Sequence, residues 1–332
     1  MRSMLSLPAV RQPKSLLKKG SGARPASIVP LLLLVVLAAS LILTACSSSK
    51  SEPDTVTVID LLGRSVQVPS HPTCIVTTHP TATETLYRAG GVAAGRDTAS
   101  KYPTEVLDLP TVGGSYSIST EAVAALAPDL VIIEGLTQGQ LPFVGTLEGL
   151  GIPVLAIRAM TLEEIYQSLT LVGEILDTTD TASQAVADIE GRIEAAQSGS
   201  SEGRSILVLV ALSPDNLYAA RGNSYPGTVA ALLELGNVAS GMPDAGGRYA
   251  GYALFGAELT TSYNPDVILT ITPSPSGPRL AALLPTMPGF KEMPAVKARH
   301  VVELDPVLFL QASGPRIAEA VEALLEIMNS LA

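Results

Sequence analysis

Apolar residues fall along most of the chain in patterns typical of strands and helices. Thr55–Asp60 and Ser65–Pro69 alternate on either side of Leu61–Arg64, which predicts a β-hairpin. Short apolar runs then recur between helical stretches, and each predicts a buried strand: Cys74–Thr78, Asp129–Ile133, Pro153–Ile157, Ser205–Val210, Asp266–Thr270 and His300–Leu304. Strands that alternate with helices indicate an α/β protein with mostly parallel sheets covered on both faces.

Two long helical patterns divide and end the chain. Apolar residues at helical spacing predict a long helix from Leu162 to about Gln197, within which Thr178–Thr181 offers a turn and a new cap. Pro315–Leu331 predicts a final helix with one apolar face. The predicted regions are an N-terminal lobe at 55–160, a connecting helix region at 161–200 and a C-terminal lobe at 201–332.

An internal repeat links the two halves. Glu121 is followed by six residues, by Pro128–Asp129 and by three aliphatic residues, and Glu258 is followed in the same way by six residues and Pro265–Asp266. Each copy predicts a short helix that ends at a proline and turns into a buried strand. One copy in each half indicates two similar lobes, and a cleft between lobes is a common ligand site.

The N-terminus has the pattern of an export signal. Residues 1–24 are polar and basic, and Ile28–Ala45 is almost wholly apolar, which is typical of a signal peptide. A retained transmembrane helix is the alternative, because the run is near the lower length limit for spanning a bilayer. Leu43–Cys46 resembles the bacterial lipobox, which implies lipid attachment at Cys46 and loss of 1–45. The body is then anchored outside the cytoplasmic membrane through a flexible linker at 46–54.

The charge distribution argues against nucleic acid as a partner. Residues 1–45 hold six of the 21 basic residues and no acid. The rest of the 332-residue chain has 15 basic against 31 acidic residues, a net charge of −16, which repels nucleic acid and anionic lipid. Two Cys exclude a disulfide-stapled scaffold. Cys74 falls in a strand pattern and is predicted to be a buried small hydrophobe.

Common enzyme motifs are missing from the sequence. It has no G-x-S-x-G elbow, P-loop, G-x-G-x-x-G fingerprint or H-E-x-x-H pair. His71, His79 and His300 are too scattered for metal-ligand spacing. These observations favour a binding protein over an enzyme and predict no catalytic residue, no cofactor and no resident metal.

The chain from Thr55 to the C-terminus resembles the extracytoplasmic solute-binding proteins of bacterial ABC importers for iron-siderophores, haem and cobalamin. The resemblance rests on the order and spacing of several segments: Asp60–Pro69, His79–Gly90, Tyr102–Pro103, Leu109–Gly113, the two Glu/Pro-Asp repeats, Val301–Asp305 and Gly314–Arg316. Leu284–Phe290 is most similar to the haem-binding branch. The resemblance implies two Rossmann-like lobes joined by one long α-helix, a cleft between them, and modest closure on a ligand.

The resemblance also implies partners. One acidic residue on the rim of each lobe docks on arginines of the permease, and Glu121 and Glu258 match those positions. The alternative for each is an ordinary first-turn Glu that favours the helix dipole. The expected partners are an ABC permease, its ATPase and a small metal chelate, and the protein itself is expected to be a monomer. Glu84 is predicted only to complete a capping box with Thr81.

Ligand contacts are expected where helices begin and where the family lines its cleft. His79 precedes a helix start in the first half, and Asn223–Thr228 is its counterpart. The resemblance places cleft-lining segments at Gly113–Tyr116 and Gly246–Tyr252. The candidate contacts are His79, Tyr116, Arg221, Tyr225, Arg248, Tyr249 and Tyr252. Tyrosine offers stacking area with a polar tip, and Tyr116 or His79 is the candidate axial ligand of a bound haem.

The sequence leaves the ligand open. Several haem receptors carry a tyrosine where this chain has Gly114, and cobalamin receptors often use a tryptophan in the cleft, which this chain lacks. We therefore rank haem or a ferric siderophore above a corrinoid. Two other functions stay open, a ligand sensor for a signalling receptor and a chelatase-like enzyme, and the lipobox argues against the enzyme.

Overall fold

The computed structural model describes residues 54–135, 141–199, 203–212, 216–274 and 276–331. The predicted signal peptide at 1–45, the lipid attachment site at Cys46 and all of the predicted linker except Asp54 lie outside the described residues. One compact unit spans 53–332. In the ranges that the structure describes, no helix combines the length and the apolar character that crossing a membrane requires.

The first lobe is built on a parallel sheet. Its strands are β1 (Thr55–Ile59), β2 (Ser65–Pro69), β3 (Ile75–Thr77), β4 (Ala93–Gly95), β5 (Gly113–Gly114), β6 (Ser117–Ile118), β7 (Leu130–Glu134) and β8 (Val154–Ile157). The order in the sheet is β4-β3-β7-β8, and every pair in it is parallel. β1 and β2 form the predicted antiparallel hairpin, and β5 and β6 form a second one.

The second lobe is built on a mixed sheet. Its strands are β9 (Ser205–Val210), β10 (Tyr218–Ala220), β11 (Gly236–Asn237), β12 (Tyr252–Leu254), β13 (Val267–Ile271) and β14 (Val301–Glu303). The order is β12-β10-β9-β13-β14, and β11 also pairs with β9. β9 runs parallel to β11 and β13, and β13 runs parallel to β14. β10 runs antiparallel to both of its neighbours, β9 and β12.

Helices cover both sheets. They are α1 (Pro80–Arg88), α2 (Thr120–Ala125), α3 (Leu141–Gly149), α4 (Leu162–Ile175), α5 (Thr179–Gln197), α6 (Tyr225–Leu232), α7 (Leu280–Leu283), α8 (Pro294–Lys297) and α9 (Ile317–Ser330). Short 3-10 helices lie at Thr104–Asp108, Gly247–Tyr249, Ala257–Thr261, Leu284–Thr286 and Phe290–Glu292, and a π-helical turn lies at Val307–Gln311.

The segment that connects the lobes consists of two consecutive helices, α4 and α5, as the turn offered at Thr178–Thr181 within the predicted helical region allows. The break at Leu176–Thr178 coincides with the turn that the sequence offered, and Asp177 adopts a left-handed conformation there with φ 56°. The hydroxyl of Thr178 donates a hydrogen bond to the carbonyl of Ala89 at 2.6 Å instead of capping α5. This bond ties the break to the end of α1.

A single hydrophobic cluster extends through both lobes. It includes Ile132 in the first sheet, Ile189 on α5 and Val208 in the second sheet, together with Val321 on α9, and each is at most 1% exposed. Two further clusters cover the other face of each sheet. Burial of each such side chain contributes about 1.5–3 kcal/mol. The shared cluster therefore opposes a wide separation of the lobes.

The repeat fastens neighbouring strands together in both lobes. The Asp129 carboxylate accepts hydrogen bonds from the N–H groups of Thr73 and Cys74 at 2.8 and 3.0 Å. The Asp266 carboxylate accepts them from the N–H and the hydroxyl of Ser205 at 2.8 and 2.7 Å. The predicted short helix followed by a buried strand is confirmed in each copy. Cys74, predicted to be buried, is only half-buried because it lies one residue ahead of β3.

Candidate functional site

Tyr116 lies at the turn between β5 and β6 in the first lobe. Its side chain is 95% exposed. Gly113 at the base of the hairpin has a φ of 117°, and a Cβ there would collide with the carbonyl of Ser117, so this position requires glycine. The hairpin thus presents the phenol of Tyr116 outward, away from the packing of its own lobe.

A buried carboxylate lies beneath this hairpin. Asp97 is fully buried and accepts hydrogen bonds from the Ser115 hydroxyl at 2.5 Å and from the Ala99 N–H at 2.9 Å. The Ser100 hydroxyl also donates to Asp97 and lies 2.8 Å from the hydroxyl of Thr83 on α1. The network connects the Tyr116 turn to the first helix of the lobe.

Tyr218 on β10 and Tyr252 on β12 lie at one edge of the second sheet. Tyr252 on β12 is 7% exposed, and burial, with a contribution from Tyr116, raises its pKa above the ordinary value. Tyr249 is half-buried and stacks on Tyr218 with ring centroids 4.4 Å apart, and the exposed Arg248 lies 5.6 Å from the Tyr249 centroid.

Arg221 closes a loop of its own lobe. Its Nε donates to the carbonyl of Met242 at 2.7 Å, and its Nη1 pairs with Asp244 at 2.5 Å. Asp244 also accepts hydrogen bonds from the N–H groups of Gly251 and Gly246, which are the main cause that holds its pKa below the ordinary value. Arg221 and Asp244 together fix the loop that leads into β12.

His79 begins α1 as its N-cap residue. Its Nδ1 accepts a hydrogen bond from the N–H of Thr81 at 3.3 Å, so the neutral imidazole carries its proton on Nε2. In that tautomer Nε2 is a hydrogen-bond donor and has no lone pair for a metal. The Thr81 hydroxyl donates instead to the carbonyl of Ser313 at 2.5 Å. The predicted capping box of Thr81 and Glu84 is therefore wrong.

Glu84 lies where α1 of the first lobe meets the start of α9. It is 3% exposed, and its Oε1 lies 3.7 Å from Nη1 of Arg316. Arg316 also pairs with Glu319 at 2.7 Å. Its guanidinium carbon lies 4.4 Å from the centroid of the Tyr102 ring. Burial is the main cause that raises the pKa of Glu84 to about 8, against the opposing charge of Arg316. Glu84 is thus a buried acid that favours its neutral form.

Tyr225 packs beside this contact. It is 2% exposed at the start of α6, and burial followed by the charge of Glu84 raises its pKa above the ordinary value. Ser224 caps α6 by accepting from the N–H of Gly227 at 3.1 Å, and this start directs Tyr225 inward. Of the predicted ligand contacts, Tyr225 and Tyr252 are thus buried, Tyr116 and Arg248 are exposed, and the rest are half-buried.

Glu121 and Glu258 are exposed near the starts of short helices. Ser119 caps α2, and its hydroxyl donates to Oε2 of Glu121 at 2.9 Å. The Glu121 N–H and this hydroxyl hold the pKa of Glu121 below its ordinary value, so the carboxylate stays charged. Glu258 lies on the 3-10 helix Ala257–Thr261, and its carboxylate folds back over Gly256. Each lobe therefore carries one solvent-facing carboxylate at the equivalent point of the repeat.

Two cavities lie apart from Tyr116 and Tyr252. One of about 510 Å³ lies between β2, α3 and β8 and is lined by Arg64 and Glu148. The other, of about 370 Å³, lies between α5 and α9 and is lined by Arg192 and Glu322. Within the described part of the chain, no group of three or more His, Cys, Asp or Glu side chains is arranged to hold a metal ion.

These features define a two-lobed α/β binding protein. The chain belongs to the periplasmic binding protein family, whose model matches residues 75–308. A cobalamin-binding protein of Halobacterium salinarum is 24% identical over 231 residues, which cover 68% of this chain and 59% of that protein. The match thus spans about three fifths of the length of that relative.

Solved structures share the fold. The periplasmic heme-binding protein RhuT from Roseiflexus sp. RS-1, in apo form, has a TM-score of 0.66 at 22% identity, over 77% of this chain and 98% of that one. The petrobactin-binding protein YclQ from Bacillus subtilis has a TM-score of 0.69 at 20% identity, over 83% and 98%. At these identities the likeness establishes the common two-lobe architecture.

Proposed function

We propose that this protein is the substrate-binding lipoprotein of an ABC importer. It captures an iron chelate, either haem or a ferric siderophore, between its lobes and delivers it unchanged to a membrane permease. Family membership supports the general role. The observation that carries the choice of ligand is Tyr116, a tyrosine that is 95% exposed yet held on a short anchored hairpin of the first lobe.

Tyrosine is a suitable partner for ferric iron. A phenolate oxygen ligates haem iron, and the ring adds stacking area for a flat macrocycle. Tyr116 is a better candidate ligand than His79, because the helix cap engages Nδ1 of His79 and leaves a proton on Nε2. His79 suits a second role, as a hydrogen-bond donor to a carboxylate or another oxygen of the ligand.

Cobalamin is the second candidate. The curated relative from Halobacterium salinarum carries the name cobalamin-binding protein, and this favours a corrinoid. The cobalt of cyanocobalamin already carries two axial ligands, so a tyrosine at the rim would contact its amide edge rather than its metal. The two candidates therefore differ in whether Tyr116 changes the absorption spectrum of the bound ligand.

Docking on the permease falls to Glu121 and Glu258. Both carboxylates are exposed, one on each lobe. Both precede the Pro-Asp pair of the repeat, whose aspartate binds the start of the neighbouring strand and is called here the Pro-Asp clamp. Charged pairs at the rim of an interface set the encounter rate and the register more than the affinity. The lipobox at Cys46 supplies the anchor, which keeps the receptor outside the cytoplasmic membrane near its permease.

A titration of the full chain with hemin, a ferric siderophore and cyanocobalamin tests the ligand. We expect saturable binding of hemin or the ferric siderophore, with the ligand recovered intact after denaturation. Preferential binding of cyanocobalamin selects the second candidate. Conversion of any ligand to a product contradicts a receptor and favours a chelatase-like enzyme.

Uptake by cells tests the transport role. The double variant Glu121→Ala/Glu258→Ala should bind its ligand as tightly as the parent but import much less of it. Glu292→Ala, which removes an exposed carboxylate elsewhere on the second lobe, is the matched control and should import normally. Normal uptake by the double variant removes the docking assignment. Ligand binding without any dependence of uptake on this protein favours a sensor instead.

A further inference from the structure

We propose that Asp97 is a positioning residue for ligand capture, which acts through Ser115 to fix the orientation of Tyr116. This inference rests on the proposed function. The juxtaposition that carries it is a fully buried carboxylate hydrogen-bonded directly to the residue that precedes an almost fully exposed tyrosine.

The hairpin that carries Tyr116 is too small to hold its own shape. β5 and β6 contain two residues each, whereas even a longer isolated hairpin is marginally stable in water. The phenol is 95% exposed, so side-chain packing contributes almost nothing to its position. The orientation of Tyr116 must therefore be set through the backbone of the turn.

Asp97 supplies that restraint from below. Its carboxylate accepts the Ser115 hydroxyl at 2.5 Å and the N–H groups of Ala99 and Ser100 at 2.9 and 3.2 Å. The N–H of Thr98 donates to the Gly113 carbonyl at 2.8 Å, which joins the same loop to the base of the hairpin. The loop and the turn thus behave as one unit.

The loop that holds Asp97 is itself rigid. The guanidinium of Arg96 is buried and donates to the carbonyls of Asp97 and Ser100 at 3.0 Å each and to that of Val106 at 2.6 Å. A hydrogen bond to a charged group is worth about 1.5–3 kcal/mol, more than a neutral one. A ligating group needs to be held within about 0.5 Å of its productive position. The Asp97–Ser115 bond meets that need at a residue that has no packing of its own.

A double-mutant cycle on the full chain tests this role with hemin as the probe. The four proteins are the parent, Ser115→Ala, Tyr116→Phe and the double variant. We expect Ser115→Ala to weaken hemin binding by about tenfold in the parent and by less than about twofold in the Tyr116→Phe background. The absorption bands of tyrosinate-ligated ferric haem should weaken in Ser115→Ala, and Ser115→Thr, which keeps the hydroxyl, should restore them.

Two further variants separate positioning from folding. A folded Asp97→Asn variant should have the same hemin spectrum as Ser115→Ala. If Asp97→Asn does not fold, the result with Ser115→Ala decides whether the positioning role holds. Ser117→Ala is the matched control, because it removes a hydroxyl on the other side of Tyr116 and should leave the spectrum and affinity unchanged.

The outcomes are distinct. An equal loss of affinity in both backgrounds overturns the positioning role and leaves the receptor function in place. Hemin binding that does not depend on Tyr116 removes the ligand role of Tyr116 and this inference together. If the parent binds none of the three ligands, hemin, a ferric siderophore and cyanocobalamin, the proposed function is overturned, and this inference falls with it.

Discussion

The two copies of the repeat carry out the same task with different local structure. In the first lobe Ser119 caps a six-residue α-helix and donates to Glu121. In the second lobe Gly256 occupies the equivalent position, the segment is a 3-10 helix without a side-chain cap, and the Glu258 carboxylate folds back over the glycine. The Pro-Asp clamp is kept in both lobes, so strand pairing depends on the clamp and helix type depends on the cap.

The loops that carry the candidate contacts differ in the same way. Asp97 is fully buried under the Tyr116 hairpin, whereas Asp244 is exposed and holds its loop through Arg221 and two backbone N–H groups. The first lobe therefore presents one exposed tyrosine on a rigid support. In the second lobe Tyr249 stacks on Tyr218, and Tyr225 and Tyr252 are buried. The contact that we propose for the ligand is therefore the exposed tyrosine of the first lobe.

Removal of the clamps should give the largest loss of stability. Asp129→Ala leaves the N–H groups of Thr73 and Cys74 without their acceptor. The loss at the half-buried Cys74 should cost about 1–3 kcal/mol, whereas water can replace the acceptor at the exposed Thr73. Asp266→Ala should cost less, because Asp266 is exposed and water replaces it more readily. Urea denaturation at neutral pH measures both.

The pH dependence of these variants provides the control. Hydrogen bonds from Ser205 hold the pKa of Asp266 below its ordinary value, so its contribution is present above that value and is lost as the pH falls through the lower folded-state pKa. The difference between Asp266→Ala and the parent should therefore shrink in acid. Equal destabilisation by the two alanine variants at neutral pH would show that the clamps do not differ between the lobes.

Glu84→Gln should have an effect of the opposite sign at high pH, where it should stabilise the protein. The pKa of Glu84 is about 8 in the folded protein against an ordinary 4.5, so folding retains a proton that the unfolded chain releases between these values. Stability then falls by up to roughly 1.4 kcal/mol per pH unit across that window. Glutamine does not titrate, so the variant should be more stable than the parent at pH 8.

Thermal unfolding of the two proteins from pH 5 to pH 9 measures this difference. Glu292→Gln is the control, because Glu292 is exposed on the surface of the second lobe and lacks this burial. If the stability of the parent rises from pH 5 to pH 8 by the same amount as that of the Glu84→Gln variant, Glu84 is not a neutral acid at the contact between α1 and α9.

The smallest effects should come from an exchange of the caps. Ser119→Ala removes the N-cap of α2 and should cost about 0.5–2 kcal/mol. Gly256→Ser introduces a cap at an extended residue with φ −89° and should stabilise the second copy by a few tenths of a kcal/mol. Calorimetry measures both, and a larger gain from Gly256→Ser than loss from Ser119→Ala contradicts the role assigned to the cap.

Sequence patterns predicted the strands that carry the fold. β2 and β9 begin and end at the predicted residues, and the other predicted strands lie within one residue of their predicted ends. These strands are continuous apolar runs or regular alternations, which burial enforces. The pattern missed β4, β5, β6, β10, β11 and β12, because strands of two or three residues such as Tyr218–Ala220 are too short to show a period.

The candidate site was less accessible to sequence reasoning. Asp97 follows Arg96 in a loop with no periodic pattern, and only the folded chain brings it under Ser115, 18 residues later. Glu84 fits a capping-box pattern with Thr81. The chain beyond the second sheet packs on α1, however, and the Thr81 hydroxyl donates its hydrogen bond to the carbonyl of Ser313. Such roles depend on contacts between distant segments, which local spacing does not encode.

A hemin titration of the full chain, followed by absorption spectroscopy and repeated with Tyr116→Phe and Tyr252→Phe, tests the central claim most directly. The account predicts one saturable site whose tyrosinate-iron bands disappear in Tyr116→Phe and persist in Tyr252→Phe, since Tyr252 is buried in its own lobe. Identical spectra and affinities for all three proteins would contradict it.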